Sequence, residues 1–403
     1  MNETEEMIES ATNESRKAPP ETMGVLDFCK GVAIVWIVLV HALHGWFGWQ
    51  GVHIFIVLGG FTLTYASLQR IEPLTWRQWY LRRAERILPS YWLVAVAGFL
   101  VVVLVATLNA NEKNPFNLSA AVWKLFADLA LLRNFSYKTM LADPNSALWF
   151  VPLIVSFYLV FPLLYSLISK QRGVNGWLKI LLIAAAIEFL YRAVAINWLD
   201  GMPVAYGHGF FKLLGRPVRA LDEIPATFAF QLWAPFGFAP SRLGEFALGM
   251  IGAFVLLKDR AKFEQILFSR WSVPGGLALW LCGNALLYAG RWAWVFADLV
   301  IAAGLVLWVV NAARLVQRVM PKLFRAVSRL GVWSYYIFLT HLLVGYAHAN
   351  LYTLWMGSMT LVVLMLVLTL GVLVAASWLL LRLDRSSLPK LVFRHRLGGL
   401  SRP

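Results

Sequence analysis

Cysteine and charge are what this chain has least of. Only Cys29 and Cys282 occur in 403 residues, both inside apolar stretches, so the sequence offers neither a disulfide framework nor a cysteine-based metal site. Charged residues make up 14% of the chain, where soluble domains carry about 25%. Acidic residues are scarcest, 21 against 36 Lys and Arg. With 60% hydrophobic residues and a mean hydropathy of +0.66, a disordered chain and an ordinary soluble domain are both excluded, and the solvent for this surface is a lipid bilayer. A net charge of +15 would suggest nucleic acid in a soluble protein. Here the basic residues lie between apolar stretches, where membrane orientation accounts for them, and no nucleic-acid partner is expected.

What is there is a series of ten apolar stretches near the length of about 20 residues that a helix needs to cross the hydrocarbon core. They fall near 24–43, 52–69, 88–108, 147–169, 178–198, 242–258, 273–290, 293–311, 332–350 and 358–381. The expected fold is therefore an all-α membrane protein of about ten transmembrane helices. It forms a single transmembrane domain over 23–381, between a polar tail, 1–22, expected to be disordered, and a basic tail, 382–403. If the N-terminus is cytoplasmic, the inside connections carry 23 Lys and Arg against about 9 outside, which places both termini in the cytoplasm. Within 109–146, Trp123 to Arg133 reads as a short interfacial helix or as part of a re-entrant segment. The long connection 199–241, rich in Pro, Gly and aromatics, then lies outside, too interrupted to span.

Ionisable residues inside spans are costly and mark candidate sites. The first span holds Asp27, Lys30, His41 and His44. Lys30 and His41 are eleven residues apart, which places them within about 20° of each other around a helix and about 16 Å apart along it. All four can line one polar stripe. The plainer alternative is an Asp27–Lys30 ion pair at the inner interface, with the histidines in the outer headgroup region. His53 lies close in sequence to His41 and His44, but no carboxylate stands at a ligand spacing there, so no metal site is expected. After the second span come Arg77, Arg82, Arg83 and Arg86, in what reads as a short inside loop. Such guanidiniums could grip phosphates in bidentate fashion, or serve only as an orientation signal. Glu188 and Arg192, four apart, read as an intrahelical pair. Glu245, Asp298 and His341 are further polar groups inside spans, His341 with Ser334, Tyr335 and Thr340 nearby.

The motifs in order resemble a known family. Leu26-Asp27-Phe28-Cys29-Lys30-Gly31 followed by His41 is similar to the first span of the membrane-bound acyltransferase-3 family, marked by a basic residue, ten intervening residues and a histidine. Gly51-Val52-His53-Ile54-Phe55 through Phe61 resembles its second span, and Tyr80-Leu81-Arg82-Arg83 through Trp92 its arginine motif. Leu148-Trp149-Phe150 through Pro162, Glu245-Phe246-Ala247-Leu248-Gly249-Met250, and Gly331-Val332-Trp333-Ser334-Tyr335 through His341 are similar to its later landmarks. Three positions depart. Lys30 stands where arginine is usual, Gly59 replaces a common serine, and the stretch after Trp149 lacks a glutamate that many relatives carry, so no acidic role transfers there.

The resemblance implies an O-acyltransferase with acyl-CoA, acetyl-CoA foremost, as co-substrate and no permanently bound cofactor. The implied acceptors are glycans or lipid-linked sugars, and the implied location is a bacterial inner membrane, among membrane lipid. His41 is the expected catalytic residue. An imidazole with an ordinary pKa near 6.5 can take a hydroxyl proton at cellular pH, or form an acyl-histidine. Lys30, Arg82, Arg83 and Arg86 are the expected donor-binding residues, with Asp27, His44, Glu245, Tyr335 and His341 as supporting polar groups. One difficulty is geometric: from Met23, His41 lies about 27 Å along the helix, near the far side of a core about 30 Å thick. A coenzyme at the inner surface then needs an inward-dipping vestibule or a relay between two sites. The competing reading is a transporter of a glycan or lipid-linked sugar without acyl chemistry.

Overall fold

In the computed structural model the described residues are 20–43, 48–109, 117–135, 139, 145–199, 237–352 and 359–385. They form twelve α-helices: α1 (Pro20–Leu43), α2 (Gly51–Leu68), α3 (Trp76–Asn109), α4 (Leu118–Leu129), α5 (Phe150–Ser169), α6 (Gly173–Ala193), α7 (Leu243–Lys258), α8 (Arg260–Phe268), α9 (Ser272–Leu286), α10 (Arg291–Val319), α11 (Pro321–Tyr352) and α12 (Met359–Arg385). Each of the ten expected spans corresponds to one of these helices. Eight are long and apolar enough to cross a membrane. The other two are α9, with 15 residues, and α11, whose first turns carry Lys322, Arg325 and Arg329. Most of the 199–241 connection and most of both expected tails lie outside the described residues; 20–22 and 382–385 belong to α1 and α12.

Two segments differ from their sequence reading for identifiable local reasons. The arginine segment is not a loop but the first turns of α3, which begins twelve residues before the apolar stretch. Thr75 and Gln78 close a reciprocal cap: the Gln78 N–H donates to Thr75 Oγ1 at 3.3 Å and the Thr75 N–H to Gln78 Oε1 at 3.1 Å, starting the helix at Trp76. The 109–146 region contains α4, capped by Asn117, whose Oδ1 accepts from the Ala120 N–H at 3.0 Å. Helix α4 folds back along α3, where Tyr91 donates its hydroxyl to the carbonyl of Asp128 and Trp92 its indole N–H to that of Leu129, both at 3.0 Å. Its other face exposes Leu118, Val122, Trp123 and Phe126, as an interfacial helix does.

In lipid there is little hydrophobic gain when helices meet, so close backbone approach at small residues carries the packing. A Cβ on Gly31 would overlap the carbonyl of Val327, and one on Gly331 that of Asp27. These two glycines let α1 and α11 run side by side in the same direction, with Phe28 stacked on Phe324 at 5.2 Å. The same device joins α2 to α7 through Gly60 and Gly249, where Phe157 of α5 stacks on Phe246 at 4.5 Å.

Candidate active site

The parallel packing of α1 and α11 carries one histidine of each helix to the same level. The imidazole centroids of His41 and His341 lie 5.3 Å apart, tilted by 44°. His41 is exposed, whereas His341 is buried at 7% exposure. His341 Nδ1 lies 2.9 Å from the carbonyl oxygen of Phe338; a carbonyl only accepts, so Nδ1 carries the proton and Nε2 is left as a lone-pair acceptor. That Nε2 is buried and has no hydrogen-bond partner. Asp27 and Lys30, at the other end of α1, form an ion pair at 3.1 Å with each side chain 26% exposed. The stripe therefore divides into an ion pair at one end and a histidine at the other. His44 lies outside the described residues.

The arginine segment packs into the bundle. Trp79 stacks on Phe161 at 4.9 Å, and the Arg83 guanidinium lies over the Trp79 ring, 5.5 Å from its centroid. Arg82 and Arg83 are half-buried and Arg86 is exposed; Arg83 and Arg86 both act electrostatically on Tyr158 of α5. The next residue, Ile87, accepts a hydrogen bond from the Tyr335 hydroxyl at 2.8 Å. Tyr335 precedes His341 by six residues, about 9 Å along α11. The end of the arginine segment and the histidine pair thus border the same helix, separated by less than two turns.

Glu245 does not join the histidines of α1 and α11 but a second, wholly buried cluster. His53 Nδ1 lies 2.9 Å from Glu245 Oε2, and Arg242 donates Nη1–H to Glu245 Oε1 at 3.0 Å. Arg242 also approaches Asp298 at 3.4 Å, and His53 Nε2 faces Asp298 Oδ1 at 3.8 Å. Glu188 and Arg192, read from sequence as an intrahelical pair, turn to other helices. Arg192 is bonded to Asp298 and to the carbonyls of Trp294 and Val295, and Glu188 Oε2 accepts the Gly244 N–H at 2.8 Å. Their partners sit across the bundle because α6, α7 and α10 present their polar groups at one level. Arg242 was not singled out from sequence. Its signal was there: an arginine on the side that the charge bias makes poor in arginine, three residues before Glu245.

A cavity of about 260 Å³ lies between α3 and α4, with Lys124, Asp128, Arg133 and Asn145 in its lining. It is smaller than the roughly 300–1,000 Å³ typical of ligand pockets. Arg133 pairs with Asp128 at 2.9 Å; burial pushes the Asp128 carboxyl up to about 6, with Arg133 and Lys124 pulling it the other way. Among the described residues no group of three or more His, Cys, Asp or Glu side chains could hold a metal ion.

A bundle with eight membrane-length helices is a multi-pass helical membrane protein. The chain belongs to the acyltransferase-3 family, whose acyltransferase domain matches residues 24–382. It is similar to acyltransferase MdmB of Streptomyces mycarofaciens, at 27% identity over 307 residues, 73% of this chain and 67% of that one. It is also similar to O-acetyltransferase OatA of Staphylococcus aureus, at 25% identity over 195 residues, 45% of this chain and 31% of OatA. This chain thus aligns with about a third of OatA's length. No solved structure matches the chain.

Proposed function

We propose that this membrane acyltransferase moves an acyl group, acetyl foremost, from acyl-CoA on the cytoplasmic side to a hydroxyl of an extracytoplasmic or lipid-linked glycan, in a bacterial inner membrane. The observation that carries the reading is the exposed His41 against the buried His341, less than two turns of α11 from the arginine segment. His41 takes the acceptor's hydroxyl proton as its oxygen attacks the thioester carbon. The carbon–sulfur bond breaks, and the proton passes to the departing coenzyme thiolate. Arg82, Arg83 and Arg86 hold the coenzyme phosphates, with Lys30 as a further cation on the cytoplasmic half of α1. The 27 Å difficulty eases because the arginine turns pack against α5 and reach Tyr335, so a coenzyme gripped there has a short path to His41. The relatives' names, an acyltransferase and an O-acetyltransferase, support the acyl chemistry. The excess of Lys and Arg in the inside connections supports the orientation.

The test is acyl transfer by the purified protein in proteoliposomes supplied with acetyl-CoA. His41→Ala should lower turnover by about 10² to 10⁴ while the protein stays folded; retention of more than a tenth of wild-type turnover removes His41 from the chemistry. Orientation is read in sealed cells with a membrane-impermeant thiol reagent, after replacement of Cys29 and Cys282. A cysteine at His208 should label and one at Arg325 should not. The reverse pattern would put the acceptor in the cytoplasm.

A further inference from the structure

We propose that His341 is the positioning residue for His41: its Nε2 accepts the N–H of the His41 nitrogen that faces it, so that the other His41 nitrogen carries the bare lone pair toward the substrate. The inference rests on His41 being the base. Three observations carry it. The Phe338 carbonyl can only accept, so His341 is held as the Nδ1–H tautomer and cannot donate through Nε2. That Nε2 is buried without a partner, a costly state for a polar atom unless something arrives to use it. The ring separation of 5.3 Å is close to that of two imidazoles joined edge to edge by an N–H···N bond of about 3 Å, so the two rings already sit at the spacing such a bond needs.

The division of exposure fits these roles. His41 is open to substrates, and His341 is the dry backing behind it. A buried carboxylate in the same place would bring an ionic charge into the bilayer, with its desolvation cost. A neutral imidazole supplies an acceptor without one. When His41 takes the substrate proton, its facing N–H becomes part of an imidazolium and the bond to His341 strengthens, stabilising charge that exists only as the reaction proceeds. Proton bookkeeping at His341 is unchanged throughout: it accepts a hydrogen bond and takes no proton.

The experiment compares His341→Asn, His341→Gln and His41→Ala in the full-length protein in proteoliposomes, with kcat and the KM for acetyl-CoA measured for each. Asn places a polar group near the Nδ1 position, preserving the Phe338 anchor, and leaves nothing at Nε2. Gln reaches the Nε2 position with an acceptor oxygen. His341→Asn should lower kcat about 100-fold with KM within twofold, and His341→Gln should keep at least ten times the turnover of His341→Asn. A His341→Asn enzyme with more than half of wild-type turnover would overturn the role, as would equal losses in both variants, which mark packing alone. If His41→Ala keeps its activity, the proposed chemistry and this inference fall together; if only His341→Asn is wild-type-like, this inference falls alone. A readout independent of turnover is the nitrogen chemical shifts of His41 in histidine-labelled protein. They should report one dominant tautomer in the wild type and a mixture in His341→Asn, and an identical tautomer ratio in both would overturn the proposal.

Discussion

His41 and His53 are twelve residues apart and live in opposite surroundings. His41 is exposed and faces another imidazole. His53 is fully buried, with a carboxylate on Nδ1 and a second carboxylate facing Nε2. Around His53 stand Glu188, Glu245 and Asp298 with Arg192 and Arg242. Such a cluster is closed to substrates, and its charges are tolerated because they answer one another across helices α2, α6 and α7 and α10. The pair on α1 and α11 carries no buried formal charge and leaves one ring accessible. One region fastens helices together, and the other is free to do chemistry.

That contrast is sharpest in Asp298→Ala. Removal of this carboxylate takes an ion-pair partner from the buried Arg192, and breaking a buried pair typically costs about 3–5 kcal/mol. The expected outcome is a steep loss of folded protein in detergent thermal unfolding, while the turnover of the molecules that remain folded stays within about twofold. His41→Ala should show the mirror image, with turnover lost and stability nearly unchanged. A folded Asp298→Ala protein with the kinetic defect of His41→Ala would erase the distinction between the two regions.

An intermediate effect is expected in the arginine segment, which shares features of both regions. Arg83→Ala should raise the KM for acetyl-CoA about tenfold with kcat nearly unchanged, the signature of lost uniform binding. Arg86→Ala should do the same to a smaller degree, since Arg86 is exposed, and raised salt should mimic it in part. Unchanged donor KM in both variants would return the segment to an orientation signal. The smallest effect concerns Asp128. Its carboxyl is raised from 3.8 to about 6 in the folded protein, so the folded state holds that proton more tightly than the unfolded chain does. The resulting stabilisation is complete below about pH 4 and is lost as the pH rises through 6, a change on the order of 1–3 kcal/mol. Thermal unfolding in detergent across that interval should show a shallower pH slope for Asp128→Asn than for the wild type.

Much of the fold was legible because span length, polarity and charge bias are local properties of the chain. The ten apolar stretches are helices, and the arginines group where the sequence grouped them. The misreadings also have local causes. The arginine turns read as a loop because their helix begins at a Thr75–Gln78 cap, ahead of the continuous apolar stretch. For Trp123 to Arg133 an interfacial helix and a re-entrant segment were both open readings; the helix there is α4, started at 118 by the Asn117 cap and exposing an apolar face.

Sequence alone determined that Asp27, Lys30, His41, His53, Glu188, Arg192, Glu245, Asp298 and His341 each need an answer within an apolar surround, since lipid offers buried polar groups no partners. Only the tertiary structure decided which group answers which. His53 meets Glu245 across 192 residues of chain, Arg192 meets Asp298 across 106, and His41 comes to His341 across 300. Those pairings depend on where two backbones can approach, and that is set by the shape of the helices at Gly31 with Gly331 and at Gly60 with Gly249. A glycine in an apolar stretch reads the same in sequence whether it faces lipid or another helix. Packing makes that choice, and with it separates the sealed histidine from the open one.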